Sequence, residues 1–268
     1  MAASSARVHI LLARDAALGV VIRRGPSKQV ATIGWNRDTD QFTIGQWLKG
    51  RIYERRSDLS PDGKHLIYFA MNGKWHSEAK GSWTAISRAP YLKAIGLWAK
   101  GDCWHGGGVF IDDAKYWLNN GYGHQQLSIP PGLKEDHLPL SGGVGSECLG
   151  VYFPRLIRDG WKLIGKSTKS TKAASRSWVF ERPATCGWLL RKHSATGLEH
   201  DTHELVNAAS GTSIDGSAWE WADIDRQRIA WSESGKLYAA RLTTAGLVDA
   251  CELYDFNSMR FEAREAPY

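Results

Sequence analysis

The sequence predicts an all-β fold built from repeated hairpin units, on three observations. Short runs of apolar, β-branched and aromatic residues recur along the whole chain, a composition suited to pleated, buried strands. Turn-forming clusters separate them: Ser60-Pro61-Asp62-Gly63, Asn119-Asn120-Gly121, Arg158-Asp159-Gly160 and Glu233-Ser234-Gly235. No long stretch repeats its apolar residues at the helical period.

The clearest unit starts at Ser60. Pro61 fixes its own φ, Asp62 can bond the neighbouring backbone, and Gly63 takes the positive-φ position. Leu66-Ile67-Tyr68-Phe69 follows as a buried strand, and Asn72-Gly73 reads as a hairpin turn. Further strands are expected over 8–12, 18–22, 30–35, 42–47, 83–86, 109–111, 116–118, 150–157, 161–164, 178–180, 188–190, 219–222, 227–231 and 237–240. The apolar run 90–98 fits a short helix or a buried strand equally, because periodicity does not separate them. Residues 123–145, rich in Gly and Pro, are expected as one long loop. Residues 166–176 read as an exposed basic loop, 200–203 as a polar connection and 251–268 as a tail.

A weak repeat runs through these elements. Asp15, Asp62, Asp113 and Asp225 each precede an apolar strand, at separations of 47, 51 and 112 residues, the last being twice 56. The missing unit, at 177–180, lacks the acidic turn. Units of about fifty residues repeated five times suit a propeller of about five antiparallel blades, expected as a single domain over 1–268. A β-sandwich with irregular hairpins is the alternative.

The turn Ser60-Pro61-Asp62-Gly63-Lys64 and the strand after it resemble the blade unit of TolB-like and WD-type β-propellers. The resemblance covers that turn and strand alone and implies a fold, not a function. A circular array of blades must protect its sheet edges. The usual solution puts both chain ends in one blade, so 8–12 is expected there as an inner strand and 259–263 nearer the rim. TolB proteins carry an export signal. Here the polar start, and an apolar run over 8–13 cut short by Arg14-Asp15, predict no leader and no membrane span, hence a cytoplasmic protein.

Composition bounds the function only loosely. Thirteen Trp suit packing between sheets, with a few exposed ones free to stack on a sugar or another ring. A net charge of +6 permits an anionic partner, but Lys and Arg are spread along the chain. Cys103, Cys148, Cys186 and Cys251 form no C-x-x-C pair, which argues against a zinc ribbon and for buried free thiols in a reducing compartment.

Three motifs tempt. Gly160 to Ser167 matches the phosphate-loop pattern G-x-x-x-x-G-K-[ST], but its interior, Trp161-Lys162-Leu163-Ile164, is itself strand-like and Lys166 is expected in a hairpin. His105-Gly106-Gly107-Gly108 copies an esterase oxyanion loop, without the nucleophile elbow such enzymes need. His200, Asp201, His203 and Glu204 have metal-ligand chemistry but no further ligands nearby, so no metal and no cofactor is expected.

The first functional expectation is a non-catalytic scaffold for a protein or small-molecule ligand, an anionic one included. Nucleic acid is disfavoured for want of an RNA-binding signature, and no membrane partner is expected. Its candidate ligand-binding residues are Arg23, Arg24, Trp47, Arg51, Tyr53, Trp104 and His105, basic and aromatic groups interleaved as phosphate or ring recognition requires, although a solvated rim explains the basic ones too. The alternative resembles the five-bladed arabinanase-like glycosidases. It would need channel carboxylates, drawn from Asp102, Asp112, Glu147, Glu181 and Glu220.

Overall fold

The computed structural model describes residues 5–26, 28–121, 123–137, 148–167, 177–195 and 200–268. The first sheet is β1 (Arg7–Leu12), β2 (Leu18–Arg24), β3 (Gln29–Asn36) and β4 (Gln41–Lys49), side by side in sequence order. The second holds β5 (Arg51–Ile52), β6 (Asp58–Leu59), β7 (His65–Met71), β8 (Ser82–Arg88) and β9 (Ala94–Ala99). The chain then enters the third sheet with β10 (Gly108–Phe110) and β11 (Lys115–Leu118). It returns to the second with β12 (Gln125–Ser128), and completes the third with β13 (Lys134–Glu135), which runs parallel to β11. After the helix α1 (Leu149–Arg158), the fourth sheet is β14 (Lys162–Ser167), β15 (Ser177–Pro183), β16 (Trp188–Ala195), β17 (Thr202–Asn207) and β18 (Ser213–Gly216). The fifth is β19 (Trp221–Asp225), β20 (Arg228–Glu233), β21 (Lys236–Thr243) and β22 (Gly246–Asp255). Small sheets laid down one after another, nearly all antiparallel, are the blades of a five-bladed β-propeller.

The acidic repeat marks the blades. Asp15, Asp62, Asp113 and Asp225 each sit where one strand of a sheet hands over to the next: β1 to β2, β6 to β7, β10 to β11 and β19 to β20. At Asp62 the sequence chemistry is realised. Gly63 has φ +75° and its amide donates to the Ser60 carbonyl at 2.9 Å. Asp62 Oδ1 accepts from the Ser60 hydroxyl at 2.7 Å and from the Lys64 amide at 3.0 Å. Successive turns are also laced together. The Asp15 amide donates to the Pro61 carbonyl at 2.9 Å, and the Asp62 amide donates to the Asp113 carboxylate at 2.8 Å. The Asp62 carboxylate therefore serves its own turn, and the Asp113 carboxylate serves the turn before it.

By its internal contacts the chain forms two compact units, one of Ile10–Arg155 with Met259–Tyr268, the other of Met1–His9 with Leu156–Ser258. The first is built on Leu11, Val20, Ile22, Leu59, Leu66, Tyr68 and their neighbours, all buried. The core of the second is rich in Trp. Trp161, Trp178, Trp188 and Trp221 are buried, and Trp219, Trp231 and Tyr238 stack in series with ring centroids 5.2 and 5.6 Å apart. Nine of the Trp are buried, so packing accounts for most of them, whereas Trp75 and Trp104 stand out as exposed.

Several expectations are corrected. Residues 150–157 are not a strand but lie in α1. Leu149, Tyr152, Phe153 and Leu156 sit at i, i+3, i+4 and i+7 and are all buried, and Gly160 at φ +88° ends the helix. The expected long loop 123–145 contains β12 and β13 in its described part. The polar connection at 200–203 runs into β17, with Asp201 and His203 buried. The expected tail begins inside β22 and holds its last five residues, 251–255. Asn72-Gly73 opens a ten-residue loop, 72–81, rather than a tight hairpin. The run 90–98 resolves into a turn followed by β9. The phosphate-loop match lies in β14, with Lys166 opposite Trp178 of β15. The four thiols are free but not buried: Cys103, Cys186 and Cys251 are exposed and Cys148 is half-buried.

The expected blade shared by strands from both chain ends is not formed: residues 259–263 form no strand. Side chains take its place within the smaller unit. Glu220 accepts the Val8 amide at 3.2 Å, the Ser232 hydroxyl donates to the Val8 carbonyl at 2.8 Å, and Asn257 accepts the Ala6 amide at 2.9 Å. Asn257 also donates to the Ser234 carbonyl at 3.0 Å. Deleting 257–268 should therefore cost more stability than deleting 259–268. The two lost bonds amount to about 1–3 kcal/mol, or roughly 2–10 °C in melting temperature. Equal melting temperatures for the two truncations would contradict the Asn257 clamp.

Candidate functional site

The turn after β9, residues 100–107, is an irregular segment pinned at nearly every point. Ser82, fully buried on β8, donates its hydroxyl to the Asp102 carbonyl at 2.6 Å and accepts the Gly101 amide at 3.0 Å. Thr84 accepts the Gly107 amide at 2.8 Å. Asn119, after β11, takes the Gly106 amide on its carbonyl at 2.8 Å and gives its own amide to the Gly107 carbonyl at 2.9 Å. A loop with so many fixed backbone groups presents its side chains without much entropy left to lose.

Arg56 is the centre of this arrangement. It lies in the short 3₁₀ turn Glu54–Arg56 and is buried. Its guanidinium donates to the Cys103 carbonyl at 2.8 Å, to the His105 carbonyl, and to Cys148 Sγ at 3.2 Å. It also lies 4.9 Å from the Tyr53 ring centroid and 5.0 Å from that of Phe69, distances at which a ring face attracts a cation. Arg51 sits 4.6 Å from the same Tyr53 ring centroid. Arg56→Ala should strand two carbonyls and open a cavity, costing about 3 kcal/mol or more. The observable is faster amide hydrogen exchange over 102–107, with the strands of the smaller unit unaffected. Unchanged exchange there would contradict the role given to Arg56.

What the loop presents is Trp104, 56% exposed, beside a titratable cluster. The Lys100 side chain is buried and meets Asp102 Oδ2 at 2.7 Å. Burial pushes the Asp102 carboxyl up, but the Lys100 hydrogen bond, the Trp104 amide at 2.8 Å and the charges of Lys100 and His124 outweigh it, and the net shift is downward. His124 bonds the Asn120 carbonyl through Nδ1. A carbonyl can only accept, so Nδ1 carries the proton and Nε2 is left with its lone pair. That Nε2 is buried and has no partner. Burial holds the His124 pKa below its ordinary value. The Asn120 bond and Asp102 oppose this, while Lys100 and His105 add to it. The ring is therefore neutral at pH 7, an acceptor beside an ion pair and an exposed indole.

The candidate binding residues fall into two groups. Arg51, Tyr53, Trp104 and His105 gather around Arg56. Arg23 and Trp47 lie elsewhere in the same unit: Arg23 is buried with its guanidinium 5.5 Å from the Trp47 ring centroid, so it is not part of a solvated rim. Arg24 pairs with Glu54 at 3.3 Å. No family model matches the chain, and no characterised protein matches it in sequence. The likeness to TolB and WD blades thus stays at the level of the fold. Among the described residues no helix is long and apolar enough to cross a membrane.

The carboxylates considered for hydrolysis are each tied to a local contact. Asp102 pairs with Lys100, Asp112 accepts the Ala114 amide at 2.8 Å, Glu181 meets Arg191 at 2.9 Å, and Glu220 holds Val8. Glu147 lies outside the described residues. Sequence reasoning passed over Lys100 and His124. The spacing Lys100-Gly101-Asp102 is their one signal, and it is too common to single out.

Proposed function

We propose that this protein is a non-catalytic binding scaffold, one cytoplasmic propeller domain whose 100–107 loop takes a protein or small-molecule ligand with an anionic group. The observation that carries this reading is Trp104: the largest side chain of a loop fixed by buried Arg56, Ser82 and Thr84 is turned out to solvent. An exposed indole on a rigid loop offers a stacking face at low entropic cost. His105 and Arg51 stand near enough to Arg56 and Tyr53 to supply donors and charge to an anion. The propeller fold fits a binding scaffold in general.

A thermal-shift panel of phosphorylated and carboxylated small molecules and acidic peptides tests the proposal. At least one member should raise the melting temperature of the wild type. That gain should disappear in Trp104→Ala and persist in Trp75→Ala, which removes the other exposed indole. No gain from any member, or the same gain in all three proteins, refutes this placement of the site.

A further inference from the structure

Residues 259–268 cross the larger unit without joining a sheet. Their backbone is read by side chains instead. Arg23 donates to the Met259 carbonyl at 3.4 Å, Gln46 to the Arg264 carbonyl at 2.8 Å, and Lys93 to the main-chain oxygen of Tyr268. Gln46 is itself held rigidly, its Oε1 accepting the Leu92 and Lys93 amides at 2.7 and 2.9 Å. Two aromatic side chains dip into the surface. Phe261 packs on Trp47, centroids 5.9 Å apart, under the Lys49 ammonium at 4.8 Å. Tyr268 meets Tyr91 edge-on at 6.1 Å, beneath Arg88 at 4.8 Å and Lys93 at 5.4 Å. The Tyr268 hydroxyl donates to the Lys93 carbonyl at 2.7 Å and accepts the Arg88 amide at 3.0 Å.

This is how a groove holds a peptide rather than how a sheet holds a strand. Met259, Phe261, Ala266 and Tyr268 are partly buried, while the other six residues of the segment are exposed. Specificity rests on two aromatic pockets roofed by cations and on main-chain carbonyls. We propose that the surface formed by Arg23, Gln46, Trp47, Lys49, Arg88 and Lys93 is a peptide-binding site, separate from the Trp104 loop. Its ligand is an extended segment with aromatic side chains seven positions apart, and residues 259–268 fill it in cis. The tethered segment competes at an effective concentration in the millimolar range, so an external peptide enters only when it is abundant or when the tail is weakened.

The probe is a fluorescein-labelled synthetic peptide with the sequence of residues 259–268, followed by anisotropy against the full chain. The Phe261→Ala/Tyr268→Ala protein, with its own tail weakened, should bind the peptide at least tenfold more tightly than wild type. Adding Gln46→Ala, or replacing both aromatic residues of the peptide by Leu, should cost at least fivefold. Binding by the double variant no tighter than by wild type, or insensitive to the Leu peptide, overturns the proposal. If the double variant fails to fold, the wild type still decides. Millimolar unlabelled peptide with citrulline in place of both arginines, which trypsin does not cut, should speed tryptic cleavage after Arg260 and Arg264 by displacing the tail, and cleavage rates that ignore the peptide overturn it equally.

Discussion

Gly107→Ala is expected to leave the larger unit unfolded or barely folded. Gly107 has φ +78°, a conformation that costs an L-residue about 1–2 kcal/mol. The larger penalty is steric. A Cβ at this position would overlap the Arg56 carbonyl oxygen and reach 2.8 Å from Arg56 Cβ. Neither can retreat, because Arg56 is buried and its guanidinium is committed to Cys103, His105 and Cys148. Gly107 cannot retreat either, with its amide on Thr84 and its carbonyl on the Asn119 amide. Strain and lost bonds together should exceed about 4 kcal/mol, a large part of the roughly 5–15 kcal/mol that holds a domain. Gly132→Ala isolates the steric part: it shares the positive φ, +75°, but nothing lies within 4 Å of its Cβ. That variant should lose only the torsional cost. Matching melting temperatures for the two variants would show that the packing around Gly107 is looser than described.

Acid should destabilise the protein well before its carboxylates titrate, chiefly through His203. The ring is buried on β17, opposite Lys192. Its Nδ1 donates to the Trp219 carbonyl at 3.0 Å, and Nε2 has no partner. Burial first, then the Lys192 charge with a contribution from His193, hold its pKa down to about 3, against the pull of Asp201 and the Trp219 bond. The unfolded chain binds this proton near pH 6.5 and the folded one only near pH 3. Below pH 6.5 the unfolded state therefore carries more protons, and stability falls as pH falls through that interval. Between pH 7 and 5 the loss should be about 2 kcal/mol. His65 and His124, also lowered by burial, add to the same slope. Asp62, Asp102 and Asp255, lowered in the fold, contribute only further down, as they protonate. Urea midpoints at pH 7 and 5 read the effect. His203→Gln should remove most of the drop, and parallel lines for wild type and variant would rule out His203 as its source.

The strands and the blade repeat were legible because both are local. A run such as Leu66 to Phe69, buried on both faces, needs only its own composition to declare itself, and Asp62 bonds residues two positions away. Tyr53, Trp104 and His105 could be named as candidates because aromatic and basic residues cluster near them in sequence. Their convergence on Arg56 could not be read, since the guanidinium reaches residues 47, 49 and 92 positions away.

Sequence by itself determined the turn chemistry, the strand composition and the spacing of the acidic turns, since each depends on residues within one hairpin. Tertiary structure alone decided which cations are buried, which histidine loses its proton and where the tail lies. Arg23 and Arg51 look alike in sequence. One is buried with its guanidinium beside Trp47 and hydrogen-bonded to Met259, and the other stands exposed beside Tyr53. His203 reads as a loop residue until Lys192 is set opposite it in the ladder. Residues 259–263 have a strand's pattern, but they pair with no edge: the Met259 carbonyl goes to Arg23, and just beyond them the Arg264 carbonyl goes to Gln46. Desolvation and long-range charge belong to the packed state, and short-range sequence pattern carries no record of either.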